Sequence, residues 1–128
     1  MHSLALVAAV AFATGPARKP ATDDVWHGTY VCAQGKTAVT VRLHHDGDSV
    51  TGTFEFGPVP ENPNVPHGLY EIKGSIHGDS LTIEAGAWIE HPDHYVTVGF
   101  TGEMTHDHRL FHGHITFGGC GDIDLAHN

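Results

Sequence analysis

Basic residues are scarce: the 128-residue chain carries 6 Lys+Arg against 15 Asp+Glu, a formal charge of −9 with His neutral. A nucleic-acid binder needs a basic face to meet phosphates, so that class of partner is excluded. Charged residues of all kinds reach only 16%, which is neither a helical-bundle nor a disordered-chain composition. Long apolar runs are missing as well. The longest, Leu4 to Ala13 (LALVAAVAFA), falls short of the roughly 20 residues a bilayer helix needs. Cysteine is limited to two residues, and neither CxxC nor HExxH spacing occurs. Ser49, Ser75 and Ser80 lie outside any Gly-x-Ser-x-Gly elbow, so a serine nucleophile has no recognisable setting.

The apolar run at the N-terminus has the length of a signal-peptide core. Ala11-Phe12-Ala13 and Gly15-Pro16-Ala17 each offer a small-x-small cleavage site, although Met1-His2-Ser3 supplies no basic residue. The reading is a signal peptide over 1–17, a polar linker over 18–24 (RKPATDD from Arg18) and a folded domain over 25–128. The ordinary alternative is a buried N-terminal helix. Export implies a secreted or periplasmic protein with no transmembrane segment after cleavage. An even cysteine count in such a chain implies a Cys32–Cys120 disulfide.

From Val25 on, apolar and polar residues alternate and no window repeats at i, i+3, i+4. The strand candidates are 25–33, 36–44, 49–57, 68–77, 80–86, 95–104, 109–117 and 119–126. Turn signals at Asp46-Gly47-Asp48, Gly78-Asp79-Ser80, His106-Asp107-His108 and Gly118-Gly119 separate consecutive hairpins. The expected fold is all-β: an antiparallel up-and-down meander of about eight strands, closed into a small lipocalin-like barrel with one disulfide. Closure makes the first and last strands neighbours, as the disulfide requires. A two-sheet sandwich is the other architecture. The motif apolar-x-Gly-x-apolar recurs around Gly28, Gly52, Gly74, Gly102 and Gly113. Period two turns each of these glycines inward, allowing sharp coiling or room for a ring opposite. The inward set includes Val96, Val98 and Phe117 and is bulky, which argues against a spacious internal pocket.

Alternate loops of a meander share one end. The 1–2, 3–4, 5–6 and 7–8 connections are the unusual ones. The 3–4 loop, 57–68, holds four prolines and is stiff before any ligand arrives. The 5–6 loop, 87–95, carries a Trp and a Tyr outside the strand pattern. This mouth yields the candidate ligand-binding residues Gln34, Asn62, Asn64, His67, Trp88, His91, His94 and Tyr95. The same prolines and Trp88 could equally plug the barrel.

Trp26-x-Gly28-x-Tyr30-x-Cys32-x-Gln34-Gly35, Asn62-Pro63-x-Val65-Pro66-x-Gly68, Trp88-Ile89-x-x-Pro92, Tyr95-Val96-x-Val98-Gly99 and Gly119-Cys120 together carry a resemblance over roughly 25–126. The chain resembles a family of small exported bacterial β-barrel domains that also occur appended to larger proteins, including caspase-like peptidases. The resemblance implies organisation and no particular activity. A second, single-hairpin likeness, Tyr30-Val31-Cys32-Ala33-Gln34-Gly35, is to bacterial inhibitors of C-type lysozyme.

Thirteen histidines in so short a chain need their own account. His112 and His114, two apart on one strand, share a face with Glu103, Asp122 and Asp124 of flanking strands. Two imidazoles and a carboxylate suit Zn²⁺ or Cu²⁺, or Ni²⁺. His91-Pro92-Asp93-His94 is a second metal candidate. The bland reading is that His serves as solvated polarity easing acidic crowding near pH 6. The functional expectation is a non-catalytic, cofactor-free module recognising a protein or glycan outside the cytoplasm, its most concrete form an inhibitor of a secreted hydrolase. The alternatives are a divalent-metal binder on the barrel wall, and a metal- or His-dependent hydrolase at the mouth using His91, Asp93 and His94.

Overall fold

The structure, a computed structural model, describes residues 22–127. The expected signal segment 1–17 and most of the linker lie outside the described residues. Eight strands run in chain order: β1 Thr22–Cys32, β2 Gly35–Asp46, β3 Ser49–Gly57, β4 Gly68–His77, β5 Ser80–Glu90, β6 Phe100–Met104, β7 Leu110–Ile115 and β8 Asp122–His127. Each pairs antiparallel with its successor, and β8 closes onto β1, giving a closed barrel. No helix among the described residues is long and apolar enough to cross a membrane. Cys32 and Cys120 form the disulfide. Their separation of 88 residues removes loop entropy from the unfolded chain worth about 4 kcal/mol.

The interior is packed with rings. Phe54 stacks on Tyr70 at 4.8 Å and meets Tyr30 edge-on at 5.2 Å, and Phe56 and Phe100 flank it. The backbone of neighbouring strands approaches closely at the inward glycines. A Cβ on Gly28 would stand 1.8 Å from the Asp124 carbonyl oxygen, and one on Gly52 would stand 1.7 Å from that of Arg42. At Gly28 and Gly52 the contacts are with neighbouring backbone, the tight-coiling use, whereas Gly102 and Gly113 also leave room for the Phe111 ring, which a Cβ there would meet at 2.8 and 2.9 Å.

Several element bounds differ from the sequence reading, each for a local reason. β1 begins at Thr22, three residues before the expected boundary, because Asp23 and Asp24 continue the ladder and their carboxylates meet His44 and His45 of β2. β5 continues to Glu90 across a bulge. Tyr70 faces Trp88 while Ile72 faces Ala85, so Gly86 and Ala87 oppose Glu71 alone. That extra residue reverses the in–out parity, which is why Trp88 looks misplaced in the sequence yet packs inward on Tyr70 and Phe56. β6 starts at Phe100 rather than Tyr95. The Tyr70 hydroxyl donates to the Val98 carbonyl (2.7 Å) and accepts from the Val98 amide (3.1 Å), so a side chain replaces the ladder there. Val96, expected inside, is 55% exposed. β7 ends at Ile115 and β8 begins only at Asp122. Phe117, also expected inside, is 49% exposed.

Candidate functional site

The disulfide end of the barrel opens into a cavity of about 420 Å³, within the range of small-ligand sites. Three segments frame it. The Ala33–Gln34 turn joins β1 to β2. The 5–6 segment contributes His94, Tyr95, Val96 and Val98, and the 7–8 segment contributes Phe117 to Cys120. Gly121 donates its amide to Val31 (2.8 Å) and its carbonyl accepts from Ile115 (2.9 Å), so the 7–8 segment is fixed beside the disulfide.

At the floor, Gln34 Nε2 donates to the Tyr30 hydroxyl (3.3 Å) and to Thr37 Oγ1 (3.0 Å). Burial pushes the Tyr30 hydroxyl far above the ordinary phenol range, so the floor stays neutral at any physiological pH. The 5–6 wall is held from behind. Trp88 stacks on His91 with ring centroids 4.2 Å apart. His91 Nε2 donates to the Tyr95 carbonyl (2.9 Å), and Tyr95 stacks on Phe56 at 5.5 Å. His94, at the lip, adopts φ 70°, a left-handed backbone that non-glycine residues occupy at a cost of about 1 kcal/mol or more. Among the described residues the lining holds no carboxylate, lysine or arginine.

Of the residues expected at the mouth, Gln34, His94 and Tyr95 line this cavity and the rest do other work. Asn62 Nδ2 donates to the carbonyls of Gln34 (2.7 Å) and Lys36 (3.0 Å). It latches the proline loop to the 1–2 turn, and a Cβ at Gly35 would stand only 3.1 Å from it. Val59 and Val65 of the same loop are buried, so that part of the loop plugs the barrel. Asn64 is exposed on the loop, away from the lining. Trp88 and His91 form the buttress behind the cavity wall. His67 lies on the outer wall between Glu55 and Glu90. Phe117 and Val96, which strand alternation places in the interior, contribute exposed apolar surface to the lining. The Gly118-Gly119 pair after Phe117 was the available sign that the strand stops early.

The wall residues expected to hold a metal are brought onto adjacent strands. His112 faces Glu103 on one side and Asp124 on the other, and His114 faces Asp122. His112 Nδ1 donates to Asp124 Oδ1 at 2.6 Å, with Asp122 4.0 Å from the other ring nitrogen. That pairing raises the His112 pKa above its ordinary value. Glu103 accepts from the Ser80 hydroxyl (2.5 Å). Among the described residues no three His, Cys, Asp or Glu side chains converge as a metal cage.

Carboxylate pairing recurs among the described histidines, in seven of the twelve. His44 meets Asp23; His45 and His127 share Asp24; His106 and His108 share Asp79. Of the carboxylates near the mouth, Asp93 is exposed beside His94 and forms no ion pair among the described residues, whereas Glu61 and Glu90 are taken. Glu61 pairs with Lys36, and Glu90 with His67. A second, more open hollow of about 610 Å³ lies outside the barrel over β3–β5, lined by Thr51, Thr53, Glu71, Lys73 and Ile89 among others. Comparison with known proteins finds no family model that matches the chain and no curated protein similar to it.

Proposed function

We propose that this domain is a non-catalytic recognition module that works outside the cytoplasm. It binds a partner protein by seating an uncharged, apolar side chain in the mouth. One observation carries the reading. On a molecule of formal charge −9, the described residues that line the cavity at the braced end include no carboxylate, lysine or arginine, and Phe117 and Val96 stand half exposed there. Exposed apolar groups around a concave, uncharged site mark protein recognition. The disulfide supports an oxidising compartment.

A protein suits the site better than a glycan. Sugars are held by open aromatic faces and free amides, whereas the face of Trp88 is taken by His91 and the amide of Asn62 by two carbonyls. An inhibitor of a secreted hydrolase is the most concrete form of the proposal. The partner would present a protruding ring or aliphatic side chain to the Tyr30–Gln34 floor.

The test uses the uncharged aromatic probe N-phenyl-1-naphthylamine as a stand-in for that side chain. Wild-type protein is expected to bind it saturably, and Phe117→Asp, which places a charge on the lip, is expected to abolish binding while the circular dichroism spectrum stays unchanged. Undiminished binding by Phe117→Asp removes the mouth as the site.

A further inference from the structure

Four side chains on the outer wall near the mouth form a chain of alternating charge across four strands. Arg42 of β2 donates Nη1 to Glu55 Oε1 of β3 at 2.7 Å. Glu55 Oε2 faces His67 Nε2 at 2.8 Å. His67 sits just before β4, and its Nδ1 faces Glu90 Oε1, at the end of β5, at 2.9 Å. The strand register sets up this row: Glu55 lies opposite Leu69, and Leu69 lies opposite Glu90.

Both ring nitrogens of His67 therefore point at carboxylates. A neutral imidazole carries one N–H and one lone pair and can donate to only one of them. Only the imidazolium donates to both. The two carboxylates also raise the His67 pKa above its ordinary value. Of the other charged groups on these strands, Arg42 is bound to Glu55 and Lys36 to Glu61 further along the proline loop, while Glu71 stands exposed on β4 one outward position beyond Leu69.

Glu90 is the last residue of β5, and His91, whose ring stacks on Trp88 and bonds the Tyr95 carbonyl, follows it directly. The tie at Glu90 thus fixes the base of the segment that supplies one wall of the mouth. We propose that protonated His67 is a tie that holds the end of β5, so that the mouth binds tightly when His67 is an imidazolium and more weakly once it loses its proton. This regulation rests on the mouth being the binding site, whereas the tie itself does not.

The tie is tested in the free protein by following the His67 Cε1–H resonance against pH. The expected midpoint lies above the ordinary 6.5 and falls in both Glu90→Gln and Glu55→Gln. The His91 and Tyr95 amides are expected to move with the same midpoint in wild type and to lose that step in His67→Gln. A midpoint at or below 6.5, or loop amides indifferent to His67→Gln, overturns the tie.

Regulation is then read with N-phenyl-1-naphthylamine in a His94→Asn background. This leaves no imidazole in the described lining, so that the profile reports on groups outside the mouth; Asn tolerates the left-handed backbone. Affinity is expected to drop about two- to fivefold between about pH 5.5 and pH 8, the range a surface ion pair supplies, and to be flat after His67→Gln. A flat profile with His67 present overturns the regulation even if the tie stands. Failure of the mouth reading shows separately, as binding that survives Phe117→Asp.

Discussion

At the residue scale, the inward glycines are the least replaceable positions. A methyl at Gly28 or Gly52 would lie within 2 Å of a neighbouring strand's carbonyl oxygen, and backbone cannot swing aside as a flexible side chain can. Gly28→Ala is expected to cost about 3 kcal/mol or more, by forcing the β1–β8 seam apart. Gly118→Ala, where a Cβ meets nothing within 4 Å, is expected to stay within about 0.5 kcal/mol of wild type. Urea unfolding of the two variants measures the contrast, and equal midpoints would contradict the close approach. The glycine repeat was legible in the sequence as a face-specific pattern. Which glycine serves strand approach alone, as Gly28 and Gly52 do, and which also makes room for a ring, as Gly102 and Gly113 do for Phe111, was not, because period two gives a side chain's direction and says nothing of how near the next strand or ring lies.

At the element scale, all eight strands and their up-and-down order were legible from alternation and turn residues, and closure followed from the need to bring Cys32 beside Cys120. What misled was parity. Alternation carried past the true ends of β6 and β7 turned Val96 and Phe117 inward, when both stand half exposed at the mouth. Alternation stopped at Gly86 left Trp88 in a loop, when a bulge simply shifts the pattern by one residue. The candidate site was legible only as an end of the barrel. Three of its eight named residues line the cavity, because side-chain partners such as the carbonyls latched by Asn62 have no sequence signature. Trp88, as buttress, should report on stability. Trp88→Ala is expected to lose about 2–4 kcal/mol. Trp88→Phe, which keeps a ring against Tyr70 and Phe56, is expected to lose less than half of that. Thermal unfolding checks both, and an unaffected Trp88→Ala would return Trp88 to the role of an exposed ligand contact.

At the scale of the whole molecule, histidine stands in for the missing lysine and arginine. Only Lys36 and Arg42 of the described basic residues meet carboxylates, against seven histidines that do. The cationic half of the surface is therefore present or absent according to pH, and protonating the thirteen histidines carries the formal charge from −9 through zero. The sign of the stability change follows from the shifted groups. His67 and His112 have folded pKa values raised above 6.5 by their carboxylates. Their contribution is complete below 6.5 and is lost as pH rises through the higher folded values. Glu55 is held below its ordinary 4.5, first by Arg42 and then by His67. Its contribution is complete above 4.5 and is lost as pH falls through the lower folded value. Stability should therefore peak between 4.5 and 6.5 and decline toward pH 8, where a neutral-pH protein with lysine pairs would show a plateau. The groups are exposed and each contributes little, so the decline should be shallow and should flatten in salt, which screens surface pairs. Urea midpoints at about pH 5.5 and pH 8, with and without added NaCl, measure it. A midpoint that rises toward pH 8 would mean that acidic crowding is relieved by something other than these histidines.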